Sequence, residues 1–543
     1  MSLPSVGAAR SPARQGHSLV GGFLRSLERF PGRVALVVNG VPLTYDELWQ
    51  QAMGIAAAIG ASTPIEAPLV AILSHRSEVM YAGILGILAG GRGYVPLHPK
   101  FPVARLRKML EASGCDTLIV DDGARSLLPE ILDEIERPLT LILPDVKSGV
   151  VPDIDARRHR VIVRGSPEFS ASTTPVIDPG PEGLAYLLFT SGSTGEPKGV
   201  PIRQGSVRAY VEFVCRRYGV TEHDRFSQMF DFTFDLSAHD MFACWEAGAS
   251  LYCVPERAVM APARFIRDHG ITMWFSVPSV VAMLSRLHLL TPGAFPTLRH
   301  SLFCGEPLPA AAASDWQVAA PNSVVENLYG PTEATIAITH YQWNPATSPG
   351  ECVNGIVPLG IAFDGQHADV VNEQGDMVPP GEIGELWLAG TQVTDGYWRD
   401  EERTRRQFVR RPRTGDMTWY RTGDLARRDA RGCLYYLGRV DQQVKIRGYR
   451  VELQEVEAVL RAAGAAQVAA VAWPIKDGSA DGIIAFVSGG ALPPPPKLLE
   501  ACRGQLPDYM VPRRIEVLEN LPLNANGKVD RVALRLVLEG AAA

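Results

Sequence analysis

The sequence predicts an α/β protein with a large N-terminal domain of parallel-rich sheets, a β-rich subdomain and a small α+β C-terminal domain. Three observations predict it. Short apolar runs of strand character, "PLVAILS", "TLIVDD", "LTLILP", "LAYLLFT", "GASLYCV" and "ITMWFSV", alternate with helical patterns, as parallel sheets with crossover helices require. The chain has 543 residues, too many for one ordinary core at about 100–200 residues per domain. Past Asp441 the pattern becomes helix "LQEVEAVLRAA", strands "VAAVAWPI" and "GIIAFVSG", and helix "KLLEACRGQL", a compact unit of about 100 residues.

Each element has a local cause. Residues 1–17 are polar with Pro and Gly and are expected to be disordered. Leu19, Phe23 and Leu27 share one face of a helix that opens at Ser18. "VALVVNGVPLT" is a strand, an Asn-Gly turn and a second strand, and a helix begins near Thr44. Residues 350–437, rich in Gly, Thr, Val and Tyr, form the β-rich unit. The core therefore runs over 18–440 and the C-terminal domain over 441–543. "GGALPPPP" is a stiff loop inside that domain.

Bulk properties exclude several classes. The net charge of −6 leaves no Lys/Arg surplus for a nucleic-acid partner. The eight cysteines are scattered with no C-x-x-C pair, against zinc and for reduced thiols in a cytoplasmic protein. No apolar stretch reaches about 18 residues, so no membrane span or signal-peptide core is expected.

"LAYLLFTSGSTGEPKGV" (184–200) places a Ser/Thr/Gly turn and a single Lys after a strand. Converging backbone N–H groups, hydroxyls and an ammonium make a phosphate cradle. The order is not that of a Walker A loop, since Pro197 and Lys198 follow Gly195. Alone, the run fits a linker equally well.

The run closely resembles the phosphate-binding signature of adenylate-forming enzymes, a superfamily that holds acyl-CoA synthetases, luciferases and the adenylation units of nonribosomal peptide synthesis. "YGPTEATIA" (329–337), "GELWLAGTQVTDGYWRD" (384–400), "YRTGDL" (420–425), "LGRVDQQVKIRGYRVELQEVE" (437–457) and "LPLNANGKVDR" (521–531) follow in that family's order. The resemblance implies ATP and Mg²⁺ as cofactors and a mobile C-terminal domain. It implies that Thr190, Ser191, Gly192, Ser193, Thr194, Gly195 and Lys198 hold the pyrophosphate end of ATP. Thr332 would meet the α-phosphate and Glu333 the Mg²⁺. Gly305, Glu306, Pro307, Asn327, Tyr329 and Gly330 would frame adenine, and Asp424 the ribose hydroxyls. Asp416 sits in the same tetrapeptide "RTGD", but only Asp424 lies 15 residues before Arg439, the arginine that resembles the family's phosphate- and ribose-contacting one. Asp441 would be the hinge. Lys528 would bridge the substrate carboxylate and the α-phosphate in the transition state. Lys445 would serve the other half-reaction, thiol transfer.

The acid that is activated is written around Asp235. In amino-acid-activating relatives an Asp at this place meets the α-ammonium. Inside the apolar run "FTFDLSAHDMF" a carboxylate asks for a cation, although it could also cap the next helix. The matching pocket positions are Leu236, His239, Phe275, Leu302, Cys304, Leu328, Ile336 and Ala337, small and mostly apolar. "SLFCGEPLP" and "YGPTEATIAIT" resemble D-alanyl carrier protein ligases. The Phe275, Leu302 and Leu328 walls resemble stand-alone prolyl-carrier ligases and suit a ring, since alanine would leave them empty. The expectation is a small amino acid, proline favoured, passed to the phosphopantetheine thiol of a separate carrier protein. "QGHSL" (15–19) mimics a carrier signature, but too few residues precede Ser18 for a helical bundle. A small-acid CoA ligase is disfavoured by Asp235. A non-catalytic binding protein is disfavoured by the intact Lys198, Glu333, Asp424 and Lys528.

Overall fold

The computed structural model describes residues 18–542 apart from 65, 148–153, 156, 171–173, 193–195, 260, 412–416, 442, 477–478, 490–491 and 524–528. The N-terminal 17 residues, for which disorder is expected, therefore lie outside the described residues.

Two large sheets carry the core. A seven-stranded sheet runs Arg160–Arg164, Thr140–Lys147, Thr117–Val120, Leu69–Leu73, Gly93–Leu97, Leu184–Thr190 (β1) and Lys198–Arg203 (β2). Its neighbours are parallel except β1 and β2, which form an antiparallel pair. Helix α1 (Val103–Ser113) belongs to this half. A nine-stranded sheet holds Arg225–Gln228, Ser250–Cys253, Met273–Ser276 (β3), His300–Phe303 (β4) and Val324–Tyr329 (β5) as parallel neighbours. Helix α2 (Leu236–Ala247) leads out of the loop after its strand Arg225–Gln228. All six apolar runs named above contain strands. The continuous burial of Leu69–Leu73, Thr117–Val120 and Met273–Ser276 is what parallel strands covered on both faces demand.

The helices between the sheets have direct sequence causes. Tyr45–Ser62 starts from Thr44, whose hydroxyl accepts from the Glu47 N–H while the Glu47 carboxylate accepts from the Thr44 N–H, a reciprocal cap that contributes about 1 kcal/mol. Asn39 and Gly40 both take positive φ, 51° and 78°, as the Asn-Gly hairpin requires. Glu78–Ala89 is apolar on every side and buried from Val79 onward, the mark of a helix enclosed by protein. It reaches Tyr45–Ser62 through Gly86, where a Cβ would stand 2.6 Å from the Ala52 carbonyl. Any side chain there would force these helices apart. One apolar cluster joins Leu36, Ile72, Ile84, Tyr186, Phe226 and Phe275 across both sheets.

The β-rich subdomain is a five-stranded antiparallel sheet that contains Thr418–Arg428 (β6) and Leu434–Arg439 (β7). The C-terminal unit opens with the hairpin Gln443–Ile446 (β8) and Tyr449–Glu452 (β9), followed by helix α3 (Leu453–Ala462). It has its own apolar cluster, which includes Ile446, Leu460, Ala470, Ala485 and Leu498. All eight cysteines are free. Among the described residues no helix is long and apolar enough to cross a membrane.

Candidate active site

A cavity of about 740 Å³ opens where the ends of β1, β4 and β5 meet the middle of β6, the end of β7 and the β8–β9 hairpin. Crevices beyond the carboxyl ends of parallel strands are where such folds bind ligands. A separate groove of about 590 Å³ includes Gln50, Asp145 and Arg164 and none of the residues singled out in the sequence.

One end holds the residues expected to meet the ribose and the base. Asp424 on β6 and Arg439 on β7 are cross-strand partners, which is why their 15-residue spacing in the chain brings them together. Arg439 Nη1 donates to Asp424 Oδ1 at 2.6 Å, and the Tyr329 hydroxyl donates to Oδ2. Arg439 also grips both oxygens of Asp441 at 2.6 Å each. Burial would raise the Asp441 pKa, but Arg439 outweighs it and holds the carboxyl below its usual range. Asn327 donates its amide N–H to Pro358 O at 2.8 Å, leaving Oδ1 as an acceptor for a ligand's amine. Gly305, Glu306, Pro307, Tyr329, Gly330 and Thr332 line the same end.

The phosphate end lies between β1 and β2, where Thr190 and Lys198 stand opposite each other. Thr190 Oγ1 is buried and has no hydrogen-bond partner among the described residues. Next to it, a Cβ on Gly192 would lie 2.1 Å from Glu196 O, so only glycine fits. Lys198 Nζ donates to Glu333 Oε1 at 3.1 Å and to the Tyr397 hydroxyl at 3.2 Å. Arg450 of β9 donates to Glu333 Oε2 at 2.7 Å. Burial, with Arg450 nearby, pushes Lys198 down to about 8 despite Glu333. Burial alone would raise Glu333, but Arg450 and Lys198 hold it well below the carboxylate range. Two cations thus enclose a buried, ionised Glu333.

Asp235 stands at the floor, immediately before α2. It caps nothing: its side chain makes no cap hydrogen bond. Its Oδ2 accepts from the Ile336 N–H at 3.1 Å. Burial pushes its pKa up to about 6, against the Ile336 N–H and the nearby Lys445. Lys445 is itself buried, which lowers its pKa. The Ile336 N–H comes from an unusual turn in which Thr335 and Ile336 take φ of 53° and 72°, a costly conformation for a β-branched residue. Gln392 holds the turn, its amide donating to Thr335 O at 3.2 Å and Ala337 O at 2.7 Å.

Leu236, Cys304, Leu328 and Ile336 line the cavity beside Asp235. His239, Phe275, Leu302 and Ala337 do not: they are buried behind that lining, a departure from the pocket read in the sequence. His239 and Phe275 pack edge-to-face at 4.6 Å, and His239 Nδ1 pairs with the Tyr210 hydroxyl at 2.9 Å. Burial drops the His239 pKa to about 3, so the ring is neutral. Burial likewise pushes the Cys304 thiol up to about 12. The outer walls therefore fill one another rather than enclosing space.

Ser193, Thr194, Gly195, Asp416 and Lys528, with the Asn526-Gly527 turn before it, lie outside the described residues. Sequence reading missed Gln392, Tyr397, Arg450 and Glu455. Gln392 and Tyr397 sit inside the quoted motif 384–400, and Arg450 and Glu455 inside 437–457, so the motifs held a signal for all four.

The residues present fit ATP and Mg²⁺. An orphaned threonine hydroxyl and a buried lysine at a glycine turn suit phosphate oxygens. Among the described residues no group of three or more His, Cys, Asp or Glu could hold a metal alone. A Mg²⁺ on Glu333 would draw its other ligands from phosphates and water, as this ion commonly does.

A cleft with a ribose carboxylate, a phosphate turn and a carboxylate-bearing floor defines a ligase that adenylates an acid. The chain belongs to the AMP-binding enzyme family: that family matches residues 23–398, and the AMP-binding enzyme C-terminal domain matches 455–528. It is 34% identical over 526 residues to an L-proline–[L-prolyl-carrier protein] ligase of Pseudomonas fluorescens, covering 95% of this chain and 98% of that protein. It is 34% identical over 512 residues to tyrocidine synthase 3 of Brevibacillus parabrevis, covering 93% of this chain but spanning only 7% of that much longer protein. Among solved structures, the Vibrio cholerae adenylation domain AlmE in complex with glycyl-adenosine-5'-phosphate superposes with a TM-score of 0.85 at 32% identity, covering 98% of this chain and 99% of that one. Adenylate-forming ligases use ATP and Mg²⁺.

Proposed function

We propose that the chain activates a small, mostly apolar amino acid, proline favoured, as aminoacyl-AMP. It then passes the aminoacyl group to the phosphopantetheine thiol of a separate carrier protein. The observation that carries this reading is Asp235, a buried carboxylate that accepts from the Ile336 backbone N–H at the floor of a nucleotide cleft. Such a group calls for a cation, and an α-ammonium supplies it. Leu236, Leu328 and Ile336 offer apolar walls and no partner for a charged side chain. The similarity to a prolyl-carrier ligase supports proline.

In the first step a carboxylate oxygen of the amino acid attacks the α-phosphorus and the bond to pyrophosphate breaks. Asp235 and the Ile336 turn fix the ammonium, which aims the carboxylate. Asp424 takes the ribose hydroxyls, with Arg439 beside it, and Asn327 the adenine edge. Thr190, Ser191, Gly192, Ser193, Thr194, Gly195 and Lys198 hold the departing pyrophosphate, and Thr332 the α-phosphate. Mg²⁺, held through Glu333, would neutralise phosphate charge. Lys528 stabilises charge that develops between carboxylate and α-phosphate. In the second step a thiol sulfur attacks the acyl carbon, a thioester forms and AMP leaves. Rotation about Asp441 brings the Lys445 hairpin to the cavity for this step.

ATP–pyrophosphate exchange with a panel of amino acids tests the reading. Exchange should be strongest with proline. No exchange with any amino acid sinks the central claim, and stronger exchange with alanine or glycine sinks the proline assignment. Lys528→Ala should abolish exchange while thiol transfer from preformed aminoacyl-AMP persists.

A further inference from the structure

The end of the motif 384–400 and the residues just past it lie against the phosphate end. The Trp398 N–H donates at 2.9 Å to the carbonyl of Gly199, the residue after Lys198. The Tyr397 hydroxyl accepts from Lys198 Nζ at 3.2 Å and donates to Glu333 Oε1 at 2.9 Å. The short helix Glu401–Gln407 starts from Asp400, whose Oδ1 accepts from the Arg403 N–H at 2.9 Å. The other Asp400 oxygen lies 3.3 Å from Arg403 Nη1. One aspartate thus fixes both the backbone and the side chain of Arg403. The guanidinium reaches back to the phosphate end: a Cβ on Gly192 would stand 3.7 Å from its Nη1. Arg403 Cζ and Lys198 Nζ lie 6.0 and 4.7 Å from the centre of the same ring, that of Tyr397.

We propose that Arg403 is a further substrate-binding residue, which meets the terminal phosphate oxygens of ATP and of the departing pyrophosphate beside Lys198 and Gly192. The inference rests on the adenylation reading above. The other cations at this end face carboxylates deep in the protein. Lys198 and Arg450 meet Glu333, Arg105 of α1 meets Glu455, and all five side chains are at most 14% exposed. Arg403 is placed differently. It is 19% exposed and its partner Asp400 33%, so water screens their attraction and the pair is weak. A guanidinium carries five N–H donors in a planar fork. It can therefore keep Asp400 on one edge and take two phosphate oxygens on another, a geometry a lysine cannot offer. Arg403 lies three residues beyond the motif 384–400, and no resemblance gives it a role. ATP and pyrophosphate share the terminal phosphates and AMP lacks them, so the contact should separate these ligands.

The test is ATP formation by the full chain from magnesium pyrophosphate and preformed aminoacyl-AMP, made with the amino acid that gives the strongest exchange. The native chain is compared with Arg403→Leu, Arg403→Lys and Arg405→Leu. Arg405 is exposed on the same helix and controls for net charge. In Arg403→Leu the KM for pyrophosphate, and in the forward direction that for ATP, should each rise about ten-fold, with kcat within about three-fold of native. Inhibition by AMP, the KM for the amino acid and transfer from preformed aminoacyl-AMP to pantetheine should stay as in the native chain. Arg403→Lys keeps the charge and should recover part of the loss, and Arg405→Leu should match the native chain. An unchanged KM for pyrophosphate in Arg403→Leu overturns the proposal. So does an equal rise in Arg405→Leu, which would make the effect one of long-range charge. A loss that extends to AMP and the amino acid, with a lower melting temperature, would make Arg403 structural and also overturns it. Should Arg403→Leu fail to fold, Arg403→Gln carries the same expectation. A native chain that exchanges with no amino acid fails the adenylation reading. A native chain that exchanges, beside an Arg403→Leu enzyme that behaves like it, fails only this inference.

Discussion

The two ends of the cavity solve opposite electrostatic problems. At the nucleotide end charges are dense and cross-linked: Lys198, Arg450 and the Tyr397 hydroxyl all meet Glu333, while Arg439 joins Asp424 to Asp441. At the floor a single carboxylate, Asp235, sits beside Leu236, Leu328 and Ile336 and accepts from the Ile336 N–H. The first end is built for a ligand common to the whole family, and its chemistry is fixed by charge. The second is built for one acid among many, and its selectivity rests on shape. Charge networks need particular residue types and therefore leave motifs, whereas shape can be made from many apolar combinations.

Breaking the charged end should cost most. Lys198→Ala removes the ammonium proposed to meet the leaving pyrophosphate, and exchange should fall by about 10²–10³ in kcat. A loss below ten-fold would mean that Lys198 serves Glu333 and not the phosphates. Next comes Asp235→Asn, which should raise KM for the amino acid by about 100-fold. In the native enzyme that KM should climb about ten-fold per unit as pH drops below about 6, because protonation removes the charge that meets the ammonium. The variant should show a flat profile. Its stability should move the other way. The folded pKa of Asp235 exceeds the ordinary 3.8, so the native chain loses stability as pH rises from 3.8 towards 6. The variant should accordingly melt higher than the native enzyme at pH 7.5.

A third change touches neither ligand. Gln392→Leu removes the amide donor from Ala337 O and one of the two donors to Thr335 O, and loosens the turn that presents the Ile336 N–H. KM for the amino acid should rise roughly ten-fold, with kcat and the KM for ATP little changed. A uniform loss would show the turn to be structural only. The smallest effect is expected from Leu328→Ala, which enlarges the floor by one side chain and should shift preference a few-fold towards bulkier amino acids. An unaltered preference would move the selective wall elsewhere.

The same contrast sets what could be read in the sequence. The strand runs and the ordered motifs gave the α/β core, the nucleotide end and the pairing of Asp424 with Arg439, because register turns a fixed spacing into contact. Asp235 was ambiguous between helix cap and ligand, and only the direction of its side chain separates them. The depth of the pocket was not legible. His239, Phe275, Leu302 and Ala337 occupy matching positions in the chain, but packing against one another, and for Ala337 the course of the Ile336 turn, puts them behind the lining. Gln392, Arg450 and Glu455 are ordinary polar residues until folding carries them to partners far away in the chain.

The donor that meets Asp235 is a main-chain amide. No substitution short of proline can delete it, whatever side chain position 336 carries. Inheritance can therefore vary Ile336, and with it the room beside the anchor, generation after generation without the anchor being lost. A lineage with such a floor can drift from one small amino acid to another and remain a working enzyme at every step.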